Sequence, residues 1–94
     1  MEVTNVKVFP TEGDTALLAF ASVELEKELV IKGVRLLEGR KGKFVSMPQS
    51  QGKDKNYYDI VFPLSKELRE EITDAVIDAY EAEMDKPKSR RSKK

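Results

Sequence analysis

Side chains able to grip an anion gather at two places inside this 94-residue sequence. Arg40, Lys41 and Lys43 crowd a glycine-containing turn, and Lys53 and Lys55 sit in a later polar loop that leads into Tyr57 and Tyr58. Cations on surface turns neutralise phosphates with little preference for base sequence. An aromatic ring beside them offers a face on which a base can stack. Strand alternation sends Tyr57 and Tyr58 to opposite sides, so at most one ring stacks while the other packs. A plainer account fits the same residues, because turns are often lysine-rich and tyrosine is a good strand former. A third group, Lys86, Lys88, Arg90, Arg91, Lys93 and Lys94, makes the C-terminus a polybasic arm. Such an arm holds DNA, RNA or an anionic membrane surface without distinguishing them, or simply offsets an acidic body.

The chemistry that is missing narrows the field further. The sequence has no histidine, the commonest general base and metal ligand, and no cysteine for disulfides, thiolate metal sites or nucleophilic attack. No serine–lysine pair sits in an apolar setting, and no glycine pattern resembles a phosphate-cradling loop. Glu67, Glu70, Glu71, Asp74, Asp78 and Glu81 could be imagined as a carboxylate metal site. Their spacing instead places them on the solvated side of a helix, away from its apolar stripe. The expectation is a protein that is not an enzyme and uses no cofactor, metal or small-molecule substrate.

The formal net charge of zero conceals a segregation. All 17 acidic residues lie at or before Asp85, against only 11 of the 17 basic ones, which leaves residues 1–85 six charges negative. The last nine residues carry the other six cations and no acid. One folded domain over residues 1–85 with a disordered basic tail over 86–94 is the expected organisation. The start, MEVTNVKVF, lacks the form of a signal peptide and no stretch is long enough to span a membrane, so a cytoplasmic location is expected.

Several β-prone runs must position the cations. Residues 2–9 carry Val3, Val6 and Val8 and stop at Pro10. Residues 15–25 form the strongest run, with Leu17, Ala19, Ala21, Val23 and Leu25 on one face and Ala16, Leu18 and Phe20 on the other. Residues 29–37 read as a third strand, in which Gly33 breaks the alternation and suggests a bulge. A turn at Glu38–Lys43 leads to a short strand at Phe44–Met47. A polar loop over Gln49–Asn56 precedes a fifth strand at Tyr57–Phe62. Ser65 then suits a helix N-cap. Beyond it Leu68, Ile72, Ala75, Val76, Ala79 and Tyr80 recur at three and four residues, and Pro87 bars continuation.

The pattern predicts an α+β fold, an antiparallel sheet of about five strands followed by one amphipathic helix. Five strands span roughly 20–25 Å and a helix covers about 10 Å. One helix therefore leaves apolar sheet surface over, and a second copy of the chain is the expected cover, making a homodimer. If strands four and five form a hairpin, its ends carry the two internal cation clusters about 15 Å apart.

Four segments resemble the SpoVG family in order and spacing: the opening MEVTNVKV, the run Gly42-Lys43-Phe44-Val45-Ser46-Met47-Pro48, the run Tyr58-Asp59-Ile60-Val61-Phe62-Pro63-Leu64, and a closing helix with Ile72, Asp74-Ala75-Val76 and Tyr80. The resemblance covers residues 1–84. It implies a small dimeric DNA- and RNA-binding protein that modulates gene expression and is linked to sporulation and asymmetric septation, with no cofactor and no catalysis. Two positions depart from the family pattern. Gln49-Ser50-Gln51-Gly52 follows Met47-Pro48 where many members carry a basic group, and Phe62 stands in place of a histidine. The cations come later here, at Lys53 and Lys55. The rival expectation is a protein–protein adaptor that meets a cell-division or sporulation regulator through its acidic helix face.

Overall fold

A computed structural model describes residues 1–12 and 15–85. Its first four strands are β1 (Val3–Pro10), β2 (Leu17–Leu25), β3 (Leu29–Gly39) and β4 (Gly42–Ser46), joined in the order β1-β2-β3-β4 as an antiparallel meander. Two short strands follow, β5 (Gln49–Gln51) and β6 (Tyr57–Asp59), paired only with each other. Helix α1 (Lys66–Met84) closes the chain's described part. The α+β class and the single C-terminal helix agree with the sequence pattern. A continuous five-stranded sheet does not form, and Gln49–Gln51, expected as loop, is a strand.

Alternation along β2 builds the core. Ala19, Ala21, Val23 and Leu25 are buried together with Val34 and Leu36 of β3 and with Ile72 and Val76 of α1. Val6, Val8, Val45, Leu68 and Tyr80 pack around this cluster. Alanines at the centre of β2 leave room for the helix side chains, and a four-stranded sheet is narrower than a five-stranded one. One helix therefore closes this face more completely than counting strands suggests. Ser65 caps the helix as expected, its Oγ accepting the Leu68 N–H at 3.1 Å. On the sheet side, the Glu71 carboxylate accepts the Val3 N–H at 2.9 Å and ties α1 to β1.

The expected irregularity at Gly33 is present. Ala21 pairs with Val34 and Val23 with Ile31, so Lys32 and Gly33 together oppose Ser22, and Gly33 takes φ +83°. That is a bulge made possible by a residue without a Cβ. The β2–β3 turn is held from outside: Lys27 N–H donates to Thr4 Oγ1 at 3.1 Å and Glu26 N–H donates to the Glu2 carbonyl at 2.9 Å.

Candidate nucleic-acid interface

The two internal cation clusters stand on different hairpins. Gly39 pairs with Gly42, which leaves Arg40 and Lys41 as a two-residue turn, both exposed, at the tip of β3–β4. Gly42 meets the turn's geometry with φ +122°. Lys43 does not join them. It faces Glu38 across the hairpin, on the side of Val45, and its ammonium lies 3.9 Å from the Glu81 carboxylate of the helix. With its side chain only 29% exposed, Lys43 fastens β4 to α1 more than it faces solvent.

Lys53 and Lys55 stand at the tip of the β5–β6 hairpin, both exposed. The turn is tightly made: Lys55 N–H donates to the Gly52 carbonyl, Gly52 N–H to the Asn56 carbonyl, and Lys55 takes φ +71°. Asp54 organises it, accepting from the Asn56 N–H at 3.1 Å and from the Tyr58 hydroxyl. Those bonds, that from Tyr58 first, hold the Asp54 carboxyl below the usual carboxylate range. Tyr58 is therefore committed to the turn through its hydroxyl, while Tyr57 is 65% exposed.

The expectation that both clusters occupy the two ends of one hairpin is overturned by the pairing. The fourth strand pairs with β3, and Tyr57–Asp59 pairs with Gln49–Gln51. What the fold does bring together is one pair of cations per hairpin tip. The β5–β6 hairpin is tethered to the sheet by Arg35, which donates to Gln49 Oε1 at 3.4 Å, and its own pairing runs one step further through Ile60 N–H donating to the Pro48 carbonyl at 2.9 Å. Arg90 and Arg91 lie outside the described residues.

The acidic residues gather elsewhere. Glu67, Glu70, Asp74, Asp78 and Glu81 are exposed along α1, and among the described residues no group of carboxylates is arranged to hold a metal ion. Among the described residues, no helix is long and apolar enough to cross a membrane.

Sequence reasoning missed a further set of residues. The sheet face opposite α1 carries Lys7, Phe9, Phe20, Lys32 and Arg35, all at least partly exposed. Phe9 pairs with Phe20, and Phe20 with Arg35, across three strands. The alternation of Asn5, Lys7 and Phe9 is the signal that could have found them, since Val6 and Val8 must point the other way.

A sequence model of the SpoVG family matches residues 1–82. The chain belongs to the SpoVG family. Relatives carrying the name "Putative septation protein SpoVG" include one from Archaeoglobus fulgidus, 41% identical over 80 residues, which covers 85% of this chain and 94% of the relative. One from Bdellovibrio bacteriovorus is 40% identical over 84 residues, 89% and 77% of the two chains. One from Fusobacterium nucleatum is 42% identical over 82 residues, 85% and 88% of the two. The segments that resemble SpoVG have distinct structural duties here. Glu2 and Thr4 of the opening segment hold the β2–β3 turn, and Val3 is bound by the helix. Gly42 to Pro48 supplies β4 and, just after it, the buried Met47. The SpoVG segment from Tyr58 to Leu64 finishes β6 and then leaves Ile60, Phe62 and Leu64 exposed.

Proposed function

We propose that this SpoVG protein works by binding rather than by catalysis, as a dimeric cytoplasmic regulator that grips DNA or RNA. In this reading it modulates gene expression in processes tied to septation and, in spore formers, sporulation. Arg40 and Lys41 on one hairpin tip and Lys53 and Lys55 on the other neutralise phosphates, with Tyr57 beside the second pair and Arg90 and Arg91 adding charge from the tail. Lys43 contributes least, because Glu81 already holds it. The observation that carries the reading is the separation of charge. Four exposed cations occupy hairpin tips without an ion pair among the described residues, while the carboxylates line the outer side of α1. A polyanion approaches the tips and avoids the helix.

A second copy of the chain is supported by the segment after β6. Ile60, Phe62 and Leu64 are 63%, 55% and 92% exposed, too much apolar surface in five residues for a chain that acts alone. Two-fold symmetry then doubles the cations presented to one ligand.

The test is binding to short DNA and RNA oligonucleotides across salt concentration. Neutralising six to eight phosphates per dimer makes log affinity fall against log salt with a slope of about −5 to −7. Replacing Lys53 and Lys55 with Ala should weaken binding to all sequences about equally. A flat salt response, or no binding at low salt, rejects the reading. The exposed carboxylates of α1 favour one rival, a protein–protein adaptor. Charge reversal at Glu70, Asp74 and Asp78 separates the two, since it would abolish an adaptor's partner and leave nucleic-acid binding equal or tighter.

A further inference from the structure

The bare face of the four-stranded sheet has an unusual composition for a surface. Its central row runs Phe9, Phe20, Arg35 across β1, β2 and β3, each pair in direct register. Directly opposed residues stand about 5 Å apart at Cβ, so the two rings lie side by side, with Arg35 next in the row and its guanidinium turned to Gln49 Oε1. Phe9 is 55% and Phe20 43% exposed. The next row holds Lys7 opposite Ser22, with Lys32 brought alongside by the Gly33 bulge. Phe9, Phe20, Lys7 and Lys32, with Asn5, Glu24 and Val30, line a trough of about 610 Å³, and Arg35 stands at the end of the central row outside it. Neither lysine makes an ion pair among the described residues. The single carboxylate, Glu24, is engaged by the Thr4 hydroxyl at 2.8 Å.

We propose that this trough is a single-strand nucleic-acid site, in which unstacked bases lie on Phe9 and Phe20 while Lys7 and Lys32 take the flanking phosphates. It rests on the nucleic-acid reading above and adds to it the strandedness of the ligand and the surface that selects it. Flat aromatic faces flanked by cations on an open sheet suit bases that have left a duplex, whose rings would otherwise be stacked on one another. Charge decides against a second copy as the occupant. A two-fold interface sets the same patch of both partners face to face, and here it would oppose two patches that each carry Lys7, Lys32 and one already bonded carboxylate. The uncharged apolar run Ile60–Leu64 has no such obstacle, so dimerisation belongs there and the trough stays open.

The experiment compares three fluorescent probes on the full chain: a single-stranded oligonucleotide, its duplex, and an abasic single strand of equal length and charge. The expected order is single strand tightest, with the abasic strand weaker by about 10-fold or more as stacking is lost. Phe9→Ala with Phe20→Ala should remove that difference while a cooperative thermal melt shows the fold intact, and Phe20→Tyr should restore most of it. Lys53→Ala with Lys55→Ala should weaken all three probes alike and keep their order. If wild type binds intact and abasic strands equally, or the double phenylalanine variant binds like wild type, the stacking site is refuted while the phosphate-binding reading survives. Failure to bind any probe refutes both. Conversion of a dimer to a monomer by the phenylalanine substitutions refutes it in favour of a second copy on this face.

Discussion

The two faces of the four-stranded sheet are cut from the same strands and have opposite fates. Along β2, Ala19, Ala21 and Val23 are almost completely buried under α1, while Phe20, between them, is 43% exposed. The smaller side chains are inside and the larger aromatic one is outside. For stability alone the reverse would serve better, since burying a phenylalanine removes more apolar surface from water than burying an alanine. The covered face shows what the fold needs, namely room for Ile72 and Val76. The bare face leaves exposed the aromatic and cationic residues that the packing of α1 does not use, and these are the ones assigned above to a ligand by proposal.

That contrast can be broken most forcefully by mutation in the core. Leu36→Ala, at a fully buried position beneath the helix, should cost about 2–5 kcal/mol in a denaturant melt. Phe20→Ala, one strand over and on the other face, should cost about 1 kcal/mol, the loss of its cross-strand pairing. Equal losses would mean that the bare face is covered in solution. A smaller effect tests the cover itself. Ser65→Ala removes the bond to the Leu68 N–H and should cost about 1 kcal/mol, with no change in nucleic-acid affinity, since Ser65 lies on neither hairpin tip.

The smallest expected effect concerns the β5–β6 tip, where one exposed turn rather than the core is at stake. The Asp54 carboxyl titrates below its ordinary range because Tyr58 and Asn56 donate to its charged form. The sign follows from a folded value lower than the unfolded one. The contribution to the turn is present above the ordinary Asp range and is lost as pH falls through the depressed value. Carbon-detected NMR of Asp54 should show this, and Tyr58→Phe should raise the titration toward the ordinary value. An unchanged titration in that variant would mean the Tyr58 hydroxyl does not hold the turn.

Much of the sheet is legible in the amino-acid sequence. The bulge follows from a glycine that interrupts an alternating run, and the helix start follows from a serine ahead of the Leu68–Ile72 stripe. The turn follows from Gly39 and Gly42 flanking two cations. Strand pairing is not legible in the same way. Gln49–Gln51 lacks the branched and aromatic residues that mark a strand, and becomes one because the Gly52–Lys55 turn, pinned by Asp54, folds Tyr57–Asp59 back onto it. With that pair formed, the segment between β4 and β6 is itself a strand and turn and not a hairpin loop, and β4 pairs with β3 alone, so the two cation clusters fall on separate hairpins. The placement of Lys43 is within reach of the sequence, because it shares parity with the core residue Val45. Its ion pair with Glu81 is not, since that depends on where α1 crosses the sheet. The bare-face residues are hard to see in the sequence because β2 is apolar on both sides, and only the pairing with β1 and β3 sets Phe20 between Phe9 and Arg35.

The most direct test of the account is an amide NMR titration of the full chain with a single-stranded oligonucleotide. Shifts should cluster at residues 40–41 and 53–57 and on the bare face around Lys7, Phe9, Phe20 and Lys32, leaving the outer side of α1 from Glu67 to Glu81 unmoved. Shifts concentrated on that acidic helix face, or no shifts at low salt, would contradict it.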